Sequence, residues 1–227
     1  YAKRIEMDAK KNLKGVKVKI LGKAQLKREK MGMFLAVNSG SAYEPKLVHL
    51  TYTPARSSSK TPHVALVGKG ITFDTGGYSL KPSGSIMGMK FDMGGSATVY
   101  GAFRAAVLQK SPLKISCFLA LTDNAINSLA TFPDSIVTAR NGKTVEILNT
   151  DAEGRLILGD TLDYACDFKP DYLIDAATLT GACLVALGNQ VCAVLGNHQE
   201  FVDELLQTAK HCDEYMWQLP IIEEWKQ

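Results

Sequence analysis

Carboxylates and lysines share a glycine-rich segment of the chain, where their side chains could bind a cation or a charged substrate. From Lys69 to Asp92 the only carboxylates are Asp74 and Asp92, and the only cations are Lys69, Lys81 and Lys90. Each aspartate stands two residues before a pair of glycines. Glycine allows a positive φ and a close approach of the backbone to a ligand. The two turns are therefore candidate ligand-binding loops.

A second acidic turn, residues 149–155, reads Asn-Thr-Asp-Ala-Glu-Gly-Arg and contributes Asp151 and Glu153. It follows a predicted strand, as Asp74 does, and ligands of open α/β sheets bind at the carboxyl ends of the strands. We therefore expect the four carboxylates to face one crevice. Carboxylates so close repel one another unless cations lie between them. Two divalent metals about 3.5–4 Å apart are the usual hydrolytic arrangement.

A simpler interpretation is that each aspartate caps a helix or stabilises a turn, as aspartates beside glycine commonly do. Taken one at a time, Asp74, Asp92 and Asp151 fit that interpretation better. Taken together, with lysines and an arginine placed between the carboxylates, they favour a metal site.

Three common catalytic signatures are missing from the sequence. Lys81 stands where the last glycine of a nucleophile elbow would be, after Gly77 and Ser79. The four histidines lack the spacing of a helical zinc site. Residues 68–70 read Gly-Lys-Gly but do not continue into a nucleotide-binding loop.

The elements that must position these residues alternate between apolar strands and helical patterns, which is typical of a parallel α/β sheet. Strands are predicted over residues 16–21, 46–52, 63–67, 114–120, 144–148, 172–176 and 190–195. Helices are predicted over residues 2–11, 24–37, 96–108, 156–167 and 200–212. Residues 54–62 are polar and predict an exposed hairpin loop. Residues 68–95 show no periodicity, and a segment of that length inside a domain is typically functional.

Composition excludes several classes of protein. The chain has 227 residues with ordinary apolar and charged fractions and no apolar run long enough to span a membrane. Its net charge of +3 argues against a nucleic-acid partner, and the early lysines are interpreted as a solvated helical surface. Five cysteines without a C-x-x-C pair indicate buried free thiols in a reducing compartment, so a cytoplasmic location is predicted.

Three stretches resemble one enzyme family. Residues 149–156 resemble the signature octapeptide of the leucyl aminopeptidase (cytosol aminopeptidase) family. Residues 68–77 and 89–95 resemble its two other metal-binding stretches, in the same order and spacing. The resemblance implies an α/β fold with a central mixed, largely parallel β-sheet flanked by helices. It also implies an exopeptidase that prefers leucine or other apolar N-terminal residues of peptides.

The resemblance further implies two divalent cations, usually zinc, with manganese, magnesium or cobalt as substitutes. The tighter cation would be held by Lys69, Asp74, Asp92 and Glu153. The more exchangeable one would be held by Asp74, Asp151 and Glu153, and a metal-bridged water would attack the peptide bond. A lysine that binds a metal must be neutral, since it donates its lone pair.

The remaining functional residues also come from the resemblance. Lys81 would stabilise the oxyanion, and Arg155 would hold a bicarbonate that acts as the general base. The substrate pocket would include the following residues: Met89, Asn149, Ala152, Thr178 and Gly181. Two departures from the family pattern, Asp134 after Pro133 and Asp123 before Asn124, lie outside the implied ligand set.

The extent of the resemblance predicts part of a catalytic domain, residues 1–227, without the N-terminal domain of the family and without the C-terminal part of the catalytic one. The chain begins at Tyr1 and stops at Gln227 within a predicted helix. The family also implies a homo-hexamer, built as a dimer of trimers, with peptides as substrates and no membrane partner.

Two alternatives stay open at this point. One is a two-metal hydrolase of another substrate class, such as a phosphoesterase, although a lysine ligand and the absence of histidines speak against it. The other is a non-catalytic or DNA-binding regulatory role, for which the lysines before Met31 are the only candidate surface.

Overall fold

The computed structural model describes residues 1–226, so that Gln227, the last residue of the predicted terminal helix, lies outside the described residues. Residues 1–179 form one unit, and the chain from Thr180 onward forms a second. No helix in the described part of the chain is both long and apolar enough to cross a membrane.

The first unit contains seven strands. They are β1 (Val16–Leu21), β2 (Lys46–Tyr52), β3 (His63–Asp74), β4 (Lys114–Asn124), β5 (Ser135–Thr138), β6 (Thr144–Ile147) and β7 (Tyr172–Ala176). Five form one sheet in the order β1-β2-β4-β3-β7, and β5 and β6 form a separate antiparallel pair. In the large sheet β4, β3 and β7 are parallel, while β2 is antiparallel to both β1 and β4. The predicted mixed, largely parallel sheet is confirmed.

Six helices accompany these strands. They are α1 (Ala2–Asn12), α2 (Lys23–Arg28), α3 (Gly32–Val37), α4 (Ser83–Ile86), α5 (Gly94–Leu108) and α6 (Glu153–Cys166). Short 3₁₀ turns cover Asn38–Gly40 and Met89–Phe91. Helix α5 packs on β3 and β4, and α1 packs on β1. Helix α6 also packs on β3 and β4, and α3 packs beside α6. Helices therefore flank the sheet, as predicted.

Successive residues of the central strands supply two cores. Phe118 and Ala120 of β4 join Phe34 of α3 and Ile157 of α6 in one core, whereas Leu119 joins a second core with α1 and α5. Strand side chains alternate between the two faces of a sheet, so a strand covered on both sides must be apolar throughout. This explains why β4 reads as an almost continuous apolar run.

Two predictions about chain connections were wrong. Residues 54–62 do not form a hairpin loop, because β4 lies between β2 and β3 in the sheet. The helix predicted over residues 24–37 is broken into α2 and α3, since Lys30 takes a positive φ of 59°. The α3 N-terminus then lies so close to the β5 end that a Cβ on Gly32 would be 2.1 Å from the Thr138 carbonyl oxygen.

The segment predicted to lack periodicity, residues 68–95, begins as a strand. β3 continues through its first quarter to Asp74, with an irregularity between Ile71 and Asp74. The short helix α4, one 3₁₀ turn and the first turn of α5 account for much of the remainder.

The five cysteines are free thiols, but only Cys117 is buried. Burial raises the pKa of the Cys117 thiol well above its usual range. Cys166, Cys192 and Cys212 are exposed, so the prediction of buried thiols was wrong for these three. Cys117 lies in β4, a strand that is covered on both faces. The exposed thiols have no such environment.

Over residues 180–226, the second unit contains two helices and two strands. They are α7 (Gly181–Leu187), β8 (Cys192–Val194), α8 (Gln199–His211) and β9 (Met216–Gln218). β8 and β9 form a parallel two-stranded sheet. Sequence patterns predicted β8 and α8, whereas α7 and β9 were missed. A 3₁₀ turn at Glu223–Lys226 follows.

The fold carries a histidine that should make stability depend on pH. His49 of β2 is 6% exposed and stacks on Phe118 with ring centroids 4.3 Å apart. Burial, with Lys19 nearby, lowers the pKa of His49 to about 4. Its pKa is about 6.5 in an unfolded chain. The contribution of His49 to the free energy of unfolding is therefore expected to fall by ~1.4 kcal/mol for each pH unit below about 6.5, down to about 4, because at this residue only the unfolded state binds the proton.

Urea unfolding at several pH values between 4.5 and 7.5 tests this prediction. His49→Phe keeps an aromatic ring against Phe118 but cannot bind a proton, so its stability should depend less on pH. Parallel losses in the two proteins would contradict the assignment.

Candidate metal centre

Three chain segments bring carboxylates together at one end of the large sheet. Asp74 is the last residue of β3, Asp151 lies in the turn before α6, and Glu153 is the first residue of α6. Oxygen atoms from these three side chains all lie within 4.8 Å of one another. Asp74 and Glu153 are each 2% exposed. The strand before Asp151 is β6, which belongs to the small sheet, so only Asp74 stands at the end of a large-sheet strand.

Lys69 links the fourth carboxylate to this group. Its Nζ atom donates to Asp92 Oδ1 at 2.9 Å and to the Thr178 carbonyl oxygen at 2.8 Å, and it lies 2.9 Å from Glu153 Oε1. Thr178 Oγ1 also donates to Asp92 Oδ1, at 2.8 Å. Asp92 is thereby held close to Glu153.

The Lys69 side chain runs directly over the first turn of α6. A Cβ atom on Gly154 would lie 2.7 Å from Lys69 Cε. The Lys69 side chain is only 3% exposed, and its Nζ atom is bound to Asp92 and to Glu153. It therefore has little room to move aside. The glycine after Glu153 is therefore required by this close approach.

Lys81 lies between two carboxylates of the cluster formed by Asp74, Asp92, Asp151 and Glu153. Its Nζ atom is 2.9 Å from Asp74 Oδ2 and 2.6 Å from Asp151 Oδ1. Burial by itself would lower the pKa of Lys81, but the bonds to Asp151 and Asp74 outweigh burial and raise that pKa above its ordinary value. With these two partners the Lys81 side chain is an ammonium group.

The turn that carries Lys81 is closed by backbone hydrogen bonds. Gly76 N donates to Asp74 Oδ1 at 3.0 Å, and Lys81 N donates to the Thr75 carbonyl oxygen at 3.0 Å. Gly76 has a φ of 87°, in the region that glycine adopts at little cost. This compact turn brings Lys81 back to the strand end from which it departed.

Two buried carboxylate oxygens of the cluster, Asp92 Oδ2 and Glu153 Oε2, have neither a hydrogen bond nor an ion pair within residues 1–226, whereas Asp151 Oδ1 is paired with Lys81. Burial raises the pKa of both carboxyl groups, and Lys69 opposes that rise. For Glu153 the neighbouring Asp74 raises it further. A buried acceptor without a partner costs about 1–3 kcal/mol or more, and carboxylate oxygens are ligands that hard divalent cations accept. The residues present therefore fit divalent metal ions.

The remaining predicted site residues are Arg155, Met89, Asn149, Ala152 and Gly181. Arg155 is exposed in the first turn of α6. Met89 is half-buried at the start of its 3₁₀ turn. Asn149 Oδ1 accepts a hydrogen bond from Asp151 N at 2.8 Å, and Ala152 directly precedes α6. Gly181 is the first residue of α7, in the second unit.

Sequence reasoning did not include Asn124 and Thr150 among the site residues. Both are buried, and Asn124 Nδ2 donates to Asp74 Oδ1 at 2.8 Å. The available signals were an abrupt change from apolar to polar residues at the end of β4 for Asn124, and for Thr150 its place within the resembling stretch 149–156. Asp123, the residue before Asn124, accepts a hydrogen bond from Ser41, away from the cluster.

Comparison with known proteins gives consistent matches. A sequence model of the cytosol aminopeptidase family, catalytic domain, matches residues 1–227. The chain is 50% identical over 217 residues to a probable cytosol aminopeptidase of Pseudomonas fluorescens. It is 49% identical over 217 residues to the cytosol aminopeptidase of Pseudomonas aeruginosa. Each match covers 96% of this chain and 43% of the relative, so the chain spans less than half the length of these curated relatives.

Proposed function

The chain belongs to the cytosol aminopeptidase family, and we propose that the protein is a metal-dependent exopeptidase that hydrolyses the N-terminal peptide bond of peptides. The observation that carries the proposal is the convergence of Asp74, Asp151 and Glu153, with the buried Lys69 and the half-buried Lys81 among them. A preference for leucine or other apolar N-terminal residues is part of the proposal.

Two divalent cations per chain, zinc or manganese with magnesium or cobalt as substitutes, would be held by the residues of this cluster. Lys69, Asp74, Asp92 and Glu153 would hold one, and Asp74, Asp151 and Glu153 the other. When bound, the cations supply Lewis-acid activation of a water molecule and of the scissile carbonyl. The carboxylate oxygens without hydrogen bonds on Asp92 and Glu153 support this ligand set.

Two side chains of the chain itself would supply the remaining catalytic groups. Lys81 is a fixed ammonium group beside Asp74 and Asp151, where it would stabilise the negative charge that develops on the substrate oxygen. Arg155 is exposed at the beginning of α6 and would bind a small anion, such as bicarbonate, to serve as the general base. No histidine contributes to the cluster among the described residues, which is consistent with a base supplied from solution.

The substrate would contact residues on several segments. Met89 and Thr178 are proposed for the first side chain, and Asn149 and Ala152 for the second. Thr178 has a further contact, since its side chain and its carbonyl oxygen bind Asp92 and Lys69. A substitution there should affect metal binding as well as substrate preference. A homo-hexamer and a cytoplasmic location complete the proposal.

Metal removal tests this function. The intact protein should release leucine from a leucyl anilide, lose nearly all of that activity after dialysis against a chelator, and regain it on addition of zinc or manganese. The reason is that the carboxylates cannot by themselves polarise the scissile carbonyl. Metal analysis of the active protein should give two ions per chain.

The same preparation distinguishes the competing hydrolase. An aryl phosphate ester, assayed beside the leucyl anilide, should be hydrolysed far more slowly. Metal-dependent turnover of the phosphate ester alone would replace the proposal with a phosphoesterase, and full peptidase activity in the chelated protein would refute it.

A further inference from the structure

A buried amide joins two of the segments that carry the cluster. Asn124, the last residue of β4, is 4% exposed. Its Nδ2 atom donates to Asp74 Oδ1 at 2.8 Å and to the Thr150 carbonyl oxygen at 3.0 Å. Both hydrogens of the amide are therefore used, one on a carboxylate of the cluster and the other on the residue before Asp151.

Thr150 and Ser79 join the same turn to the turn that carries Lys81. Thr150 Oγ1 donates to the Gly76 carbonyl oxygen at 2.6 Å and accepts from Ser79 N at 2.8 Å. In return, Thr150 N donates to Ser79 Oγ at 3.1 Å. We call Asn124, Thr150 and Ser79 the strand-end bridge.

The bridge lies between the groups whose relative position matters for the chemistry. Asp74 is bonded to it directly, Asp151 follows Thr150, and Lys81 stands two residues after Ser79. A lysine side chain has about 2 kcal/mol of rotamer entropy, so its ammonium group is held accurately only if its backbone is held. The bridge supplies that constraint between Lys81 and both of its carboxylate partners.

The bridge also fixes the rotation of one carboxylate. Asp74 Oδ1 accepts from Asn124 Nδ2 and from Gly76 N, which leaves Oδ2 turned toward Lys81. A bond whose only role was to hold the fold together could end on any backbone group. This one ends on the side chain that lies at the centre of the cluster, as outer partners of metal ligands commonly do.

We propose that Asn124 and Thr150 are positioning residues, which hold Asp74, Asp151 and Lys81 in the arrangement needed for hydrolysis. This inference rests on the proposed function and adds to it the residues that act through others. Neither side chain is itself expected to touch the substrate.

Isosteric substitution of Thr150 in the intact protein tests the inference. Thr150→Val keeps the shape but removes the hydroxyl, and kcat should fall about 10–100-fold with a smaller change in KM. Zinc affinity, measured without substrate by competition with a chelating dye, should also weaken. Thr150→Ser keeps the hydroxyl and should restore both quantities. Asn124→Asp keeps the size but loses the amide donor, and should lower kcat to a similar extent.

Thr161→Val is the matched control. Thr161 is also buried, and in the described part of the chain its hydroxyl donates to the Ile157 carbonyl oxygen of its own helix, at 2.7 Å. The kcat and zinc affinity of Thr161→Val should equal those of the wild type, and thermal unfolding of both variants checks that each is folded.

The outcomes separate the two hypotheses. If Thr150→Val matches Thr161→Val in kcat and zinc affinity, the positioning role is refuted and the proposed function stands. If Thr150→Ser fails to restore activity, the hydroxyl is not the relevant group and the inference is again refuted. A wild type that neither binds zinc nor cleaves the anilide overturns the proposed function, and this inference with it.

Discussion

Lys81→Met is expected to lower kcat for an apolar N-terminal substrate about 10²–10³-fold, with KM changed only a few-fold. Removing one group that stabilises an oxyanion typically has an effect of this size on kcat. Lys81 is suited to that role because two carboxylates, Asp74 and Asp151, keep it charged and in place. Steady-state kinetics on the metal-loaded protein measure the effect, with metal content determined in the same samples.

Lys90→Met is the matched control for this substitution. Lys90 lies in the same glycine-rich segment and is exposed, with its Nζ atom 5.2 Å from the centre of the Phe91 ring. Its replacement should leave kcat close to the wild-type value. Equal kinetics for Lys81→Met and Lys90→Met would show that Lys81 only balances charge.

Glu153→Gln should have a still larger effect, because it removes a charge from the centre of the cluster. The side chain is buried, one oxygen lies 2.9 Å from Lys69 Nζ, and the other has no hydrogen bond in the described part of the chain. Loss of a residue that only supports a metal ligand already weakens metal binding about 10–100-fold, so loss of a charged ligand should lower metal affinity roughly a hundredfold or more. Calorimetric titration of the chelated protein with zinc, followed by the leucyl anilide assay, measures both consequences.

Glu146→Gln provides the comparison, since Glu146 is exposed on β6, shortly before the same turn. It should bind zinc and cleave the anilide as the wild type does. Retention of two tightly bound ions and full activity by Glu153→Gln would remove Glu153 from the ligand set and weaken the case for this metal centre.

Local patterns were sufficient for much of the fold. β4 reads as a continuous apolar run because both of its faces are covered, and the alternation in β1 is that of an edge strand with one wet face. The order of the strands was not accessible in this way. Residues 54–62 are polar whether they turn back in a hairpin or cross over β4, and only pairing between distant segments decides between these paths.

The site shows the same division between local and distant information. Residue type and spacing were enough to single out Asp74, Asp92, Asp151 and Glu153, since glycines and charges stand together along the chain. The predicted strand before Asp151 is present, but this strand, β6, pairs only with β5 among the described strands. Asn124 went unrecognised because a single amide acquires its role only when β4 is placed beside β3.

Lys81 has a consequence for ion selectivity. A cation that binds Asp74 must compete with the ammonium group of Lys81, which is covalently attached to the chain and already paired with the same carboxylate. Sodium and potassium carry one unit charge, as the ammonium group does, so their Coulomb attraction to Asp74 gives them no advantage. A divalent ion doubles that attraction. Lys81 therefore favours divalent over alkali ions by charge number, ahead of any selection by ionic radius or coordination geometry.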